Sequence, residues 1–119
     1  MKERAKIKGI VREDTKELEQ FQNHVLRPIL KTQHDLLLES FHIYLKQRKI
    51  DFSTCTSQIK VKHIESILSK DIAYKNQQIG MIVGRFTLEE FHSYKIHAGE
   101  YNRRILQMLK KRLKDTLVQ

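Results

Sequence analysis

Helix breakers and cross-links are scarce in this chain of 119 residues. It has one proline (Pro28), four glycines, one cysteine (Cys55) and no tryptophan. With so few breakers, a loop-rich or many-turned β design is disfavoured and long helices are favoured. A single cysteine excludes an intramolecular disulfide and agrees with a reducing compartment. Long apolar runs are missing too. The longest are Leu36-Leu37-Leu38 and Met81-Ile82-Val83, far short of the roughly 20 residues that span a bilayer. The first residues, Met1 to Arg12, are charged throughout and lack the apolar core of a signal peptide. The expectation is a soluble, cytoplasmic protein with no membrane partner.

What is abundant is positive charge. Lys and Arg number 23 against 14 Asp and Glu, a formal net charge of +9. Such a chain is drawn to polyanions over long range, which does not by itself define a binding site. Hydrophobic residues make up 39% of the chain, enough for one core if they fall on consistent faces.

They do fall on helical faces. Residues 1–14 carry Lys2, Arg4, Lys6, Lys8 and Arg12 with no helical stripe and read as a loosely ordered basic arm. Residues 15–119 read as an all-α domain, a bundle of about four helices. The first helix starts near Thr15 or Asn23 and runs to about Lys49. Leu26, Ile29, Leu30, Leu37, Phe41 and Tyr44 share one face, and a kink or break is expected at Pro28. After a loop at Asp51–Thr56, Thr56 or Ser57 can cap a second helix. Its stripe is Val61, Ile64, Leu68, Ile72, Ile79 and Ile82, and it is expected to end at Gly84 in a left-handed conformation. Thr87-Leu88-Glu89-Glu90 is a capping box that opens a short helix to about His97. The last helix, from about Gly99 to Leu117, turns Ile105, Leu109 and Leu113 inward.

Several segments carry a resemblance: Phe21-Gln22-Asn23, Arg27-Pro28-Ile29, Gln33-His34-Asp35-Leu36-Leu37 and Gly84-Arg85-Phe86-Thr87-Leu88-Glu89-Glu90. Across most of residues 15–117 the chain resembles small flavobacterial helical proteins often labelled "glyoxalase". The residues do not support that label. Lactoylglutathione-lyase-type glyoxalases hold a metal on paired βαβββ modules, and the hydrolytic type needs a His-x-His-x-Asp-His motif. Neither is present, so no glyoxalase site residues follow from the resemblance.

Three functional readings remain. The first is a non-enzymatic interaction protein. On the last helix Arg103, Lys110, Lys111 and Lys114 project away from the Ile105–Leu109 face, Arg104 flanks them, and no acidic residue intervenes between Arg103 and Lys114. One-signed faces are uncommon on merely solvated helices. Together with Lys2, Arg4, Lys6 and Lys8 of the arm, this ridge could track the phosphates of RNA, the ribosome or DNA. No aromatics interleave with the cations, so base stacking is not indicated.

The second reading is a metal-dependent enzyme. Glu39-Ser40-Phe41-His42 and Glu89-Glu90-Phe91-His92 are two Glu-x-x-His motifs, each placing a carboxylate and an imidazole on one helical face. Ferritin-like bundles hold two metal ions with two such motifs and two further carboxylates, here Glu65 or Glu100, with iron, manganese or zinc as the ion. Against it, Glu39 and His42 lie opposite the apolar face, beside Asp35 and Lys46. No zinc-type His or Cys spacing and no Gly-rich phosphate loop occurs. Cys55 has no base fixed beside it by sequence, His63 being further along, so no catalytic residue emerges. The third reading is a homodimer or protein-docking module, because the first helix also carries Leu36, Leu38 and Ile43, more apolar surface than a small monomer need cover.

Overall fold

The computed structural model describes residues 15–118. The arm expected over residues 1–14, with Lys2, Arg4, Lys6 and Lys8, lies outside them. The described residues are helical almost throughout and contain no strand, so the chain is all-α. There are six α-helices among them, not about four: α1 (Arg27–Thr32), α2 (His34–Gln47), α3 (Ser57–Lys70), α4 (Ile72–Val83), α5 (Leu88–Ile96) and α6 (Ala98–Leu117). The two extra helices come from a bend inside each of the first two long stretches.

The first stretch is helical from residue 15 and contains a π turn at Gln22–Leu26, immediately before α1. Pro28 explains it. Its ring would meet the His24 carbonyl in a regular α-helix, and it has no N–H to donate. The wider turn, in which the Arg27 amide donates to Gln22, relieves that crowding and leaves Pro28 in the first turn of α1. Gln33 then sits at φ −88°, ψ 4° between α1 and α2. Two side chains favour a bend there. The Thr32 hydroxyl donates back to the Pro28 carbonyl at 3.0 Å, and Gln33 Nε2 donates across to the Met81 carbonyl at 3.2 Å.

The second stretch breaks at Asp71. Its backbone is extended (φ −85°, ψ 93°), and its carboxylate accepts from the Tyr74 amide as the cap of α4. Asp71 Oδ2 also accepts from the Tyr44 hydroxyl at 2.6 Å and from Arg48 at 3.3 Å. The new direction of α4 takes Ile72 out of the expected stripe and leaves it 65% exposed. Tyr74 and Gln78 turn inward instead. Gln78 is fully buried, its Nε2 donating to Ser40 at 2.9 Å, while its Oε1 has no partner. Burial pushes the Tyr74 hydroxyl up to about 12.

Helix ends follow local chemistry. Thr56 accepts from the Ile59 amide to start α3. Both halves of the Thr87–Glu90 capping box are made, at 3.1 and 2.8 Å, and open α5. Gly84 is not left-handed, since it keeps φ −63°, ψ −12°. The left-handed residue is Lys49, at φ 57°. It closes α2 in a Schellman motif, with Ile50 N–H on the Leu45 carbonyl and Lys49 N–H on the Lys46 carbonyl.

The longest helix, α6, is the hub. It packs against α3, α4, α5 and the π turn, with Tyr101, Ile105, Leu109 and Leu113 buried. Leu26, Leu30, Leu37 and Phe41 from the first stretch and Ile64, Leu68 and Ile82 from the second complete the core. Each such aliphatic side chain contributes about 1.5–3 kcal/mol when fully buried. No described helix is long and apolar enough to cross a membrane.

Candidate nucleic-acid interface

The ridge on α6 is less one-signed in three dimensions than along the sequence. Only Arg103 and Lys111 of its cations stand well out from the surface, on the same exposed line as Gln107. Arg103 is held by Glu100, one turn back, at 2.5 Å. Arg104 is only 17% exposed. It bridges Glu100 at 3.1 Å and Gln22 of the π turn at 2.8 Å. These two guanidiniums, Arg103 first, hold the Glu100 carboxyl down to about 2.

Lys110 and Lys114 lean toward α3 and share one carboxylate, Glu65. Lys110 lies 3.1 Å from Glu65 and donates to Ser69 at 2.8 Å, and Lys114 bonds the other Glu65 oxygen. Lys114 and then Lys110 lower the Glu65 pKa. Lys111 pairs with Asp115 at 3.0 Å, both of them largely exposed. All five ridge cations therefore have an acidic partner. Pairing in water is weak, but Lys110, Lys114 and Arg104 are held partly inside the fold and point along it, not away from it.

A second cationic feature was missed by reasoning along one helix. Between α1 and α6 runs a groove of about 870 Å³. Arg27 and Lys31 line it from α1, and Lys111 and Arg112 line it from α6. Asp115 is its one acid; Gln22, Asn23 and Gln107 add amides, and no aromatic ring lines it. The geometry has simple causes. Arg27 and Lys31 are four residues apart and so share a face of α1. The packing of α6 against the π turn sets that face beside the flank of α6.

Lys111 is paired with Asp115, but the other three groove cations are less committed to the fold. The Lys31 side chain has no hydrogen-bond or ion-pair partner among the described residues. Arg27 spends one N–H on Asn23 at 2.9 Å, leaving the rest of its donor fork free. Arg112 meets a ring nitrogen of His34 at 3.2 Å and has no acidic partner among the described residues. Of the sequence-expected residues, only Lys111 belongs to this groove. The available signal was the Arg27/Lys31 spacing beside Pro28, but nothing in the sequence shows that α1 lies next to α6.

The two Glu-x-x-His motifs are not brought together. Glu39 and His42 are exposed on α2, and Glu89 and His92 are exposed on α5. Among the described residues no group of three or more His, Cys, Asp or Glu side chains is placed to hold a metal ion. Glu65 and Glu100, the suggested completing carboxylates, are engaged by lysines and arginines. Cys55 is half-buried in the turn before α3, its thiol on the Asp51 carbonyl at 3.3 Å. His63 stacks at 5.9 Å on Phe52.

No family model matches the chain, and no curated protein or solved structure is detectably similar to it.

Proposed function

We propose that this chain is a non-enzymatic helical protein that binds single-stranded RNA by its phosphate backbone, in the groove between α1 and α6. The observation that supports it is the convergence of Arg27, Lys31, Lys111 and Arg112 on one concave surface with a single acid among them. Guanidinium and ammonium groups are the side chains that neutralise phosphates. A concave channel suits a single strand better than a duplex, whose convex surface would reach only the rim. With no aromatic platform in the lining, bases would not be stacked, and sequence preference would be weak. The ridge cations Arg103, Lys110 and Lys114 would add general attraction and not contact geometry. The resemblance to small flavobacterial proteins implies no partner, so the groove alone supports this reading.

Fluorescence anisotropy with a labelled single-stranded RNA, read over a salt series, tests it. Four phosphate contacts imply a log–log salt slope of about −3, at roughly −0.7 per contact on a single strand. The double variant Lys31→Glu, Lys111→Glu changes two exposed side chains. It should weaken binding about tenfold or more and reduce the slope by about 1.4, with helicity unchanged. Arg103→Glu should cost less than either groove substitution. Unchanged affinity in the groove double variant would overturn the proposal, as would tighter binding to duplex DNA than to the single strand.

A further inference from the structure

A separate surface lies away from the cationic groove. Leu36 and Ile43 on α2 are 58% and 48% exposed. They rim an open groove of about 620 Å³ whose other side is α4, with Ala73, Gln77 and Met81, and whose near wall includes Ser40 and Gln47. On α2 the residues Leu36, Ser40, Ile43 and Gln47 are spaced four, three and four apart. That is the seam spacing of a helix packing against another helix, and it faces away from the helix's own buried side, Leu37, Phe41 and Leu45.

Charge along the same helix identifies the occupant. Outward-facing acids occupy the first half, Asp35 and Glu39, and a base, Lys46, the second half. None of the three side chains has a hydrogen-bond or ion-pair partner among the described residues. If the seam is extended to an antiparallel copy of itself, Leu36 falls opposite Gln47 and Ile43 opposite Ser40. Glu39 (one residue before Ser40) and Lys46 (three after Ile43) flank the same side of this seam, so the antiparallel two-fold brings Glu39 of one copy and Lys46 of the other onto facing flanks, offset by two residues along the axis. Each layer then sets one apolar side chain against one polar one, and the two-fold axis makes the Glu39–Lys46 pair twice. A parallel two-fold would instead turn the Glu39 and Lys46 flank of one copy toward the Tyr44 flank of the other and make neither pair.

We infer that α2 and the α2/α4 groove form a two-fold self-association surface, occupied by α2 of a second copy in antiparallel orientation with reciprocal Glu39–Lys46 pairs. An isologous contact of this kind closes on itself and stops at the dimer. It leaves the α1/α6 groove open, so the inference does not depend on the RNA reading.

Sedimentation equilibrium over a range of protein concentrations tests it, with three designed variants. Glu39→Lys and Lys46→Glu each turn two attractions into two repulsions and should raise the dimer dissociation constant by about tenfold. The double variant Glu39→Lys, Lys46→Glu restores opposite charges across the axis and should return to within about threefold of the original. Ile43→Asp places an unpaired charge in the seam and should give a monomer at every concentration, with an unchanged helical circular dichroism spectrum. A parent chain that stays monomeric into the millimolar range would overturn the inference. So would a dimer whose double variant is no tighter than the single ones, or one indifferent to Ile43→Asp.

Discussion

Lys49 is the one described residue with a left-handed backbone, φ 57°. An L-side chain in that region costs roughly 1–2 kcal/mol through crowding of Cβ against the backbone. Glycine escapes that cost but gives back about 0.5–1 kcal/mol in chain entropy. The Lys49 side chain is exposed and has no hydrogen-bond or ion-pair partner among the described residues, so Lys49→Gly should stabilise the fold by about 0.5–1 kcal/mol. Urea unfolding of the two proteins measures it, and a loss of stability would mean that the lysine stem makes a contact worth more than the strain. The position could not be read from the sequence. Glycine preference points to Gly84, whereas the end of α2 is set by where Ile50 can dock beside Leu45, a matter of packing. At Gly84 the chain leaves α4 with its 3.0 and 3.1 Å turn bonds at Phe86 and Arg85 already satisfied in right-handed geometry.

Among the elements, the separation of α3 from α4 depends on one carboxylate. Asp71 caps α4 through the Tyr74 amide and anchors Tyr44 of α2 and Arg48 just past its end, tying three helices at one point. Asp71→Ala removes the cap and leaves the half-buried Tyr44 hydroxyl without its acceptor. The melting temperature should fall by roughly 4–8 °C or more, the effect expected for losing a good cap in a domain of this size. Asp71→Asn, which retains an acceptor for the Tyr74 amide, should lose less, and equal losses in the two variants would argue that capping contributes little. This break was hidden because the apolar stripe runs through it: Ile64, Leu68, Ile72, Ile79 and Ile82 keep helical spacing across residue 71. Periodicity reports which face is apolar, not whether the backbone is continuous. Signals that rest on local hydrogen bonding, such as the Thr87–Glu90 box and the Thr56 cap, were legible because every group involved lies within three residues. Gln78 was not legible as a core residue, because its burial depends on Ser40, 38 positions away on another helix.

At the scale of the molecule, the same distinction separates charge content from charge placement. The excess of Lys and Arg and the helical faces of α6 are visible in the sequence. That Glu65 on α3 takes up Lys110 and Lys114, 45 and 49 positions along the chain, is not. These pairs couple the hub helix to its neighbours: Glu65 links α3 to α6, and Glu100 links through Arg104 to the π turn. Their carboxyls, and that of Asp71, ionise more easily in the folded chain than in the unfolded one. Lys114 is the main cause at Glu65, Tyr44 at Asp71 and Arg103 at Glu100, which is brought to about 2. On acidification the unfolded chain therefore binds protons first, at the ordinary carboxylate values of about 4. Stability consequently rises with pH through this window. It should be fully present above about pH 5 and be lost progressively as pH falls from about 4.5 toward 2. Removal of carboxylate charge also leaves the 23 lysines and arginines unopposed, which adds repulsion in the same direction. Glu65→Gln separates the two effects. Its melting temperature should be lower than that of the parent at pH 6, and the two should converge as acidification protonates the parent's Glu65 as well. At about 0.5 M salt the gap at pH 6 should narrow, because these pairs are open to solvent and screened. A gap that stayed constant from pH 6 to pH 2 would show that the glutamate contributes through packing alone. In that case the bridge between α3 and α6 would not be electrostatic.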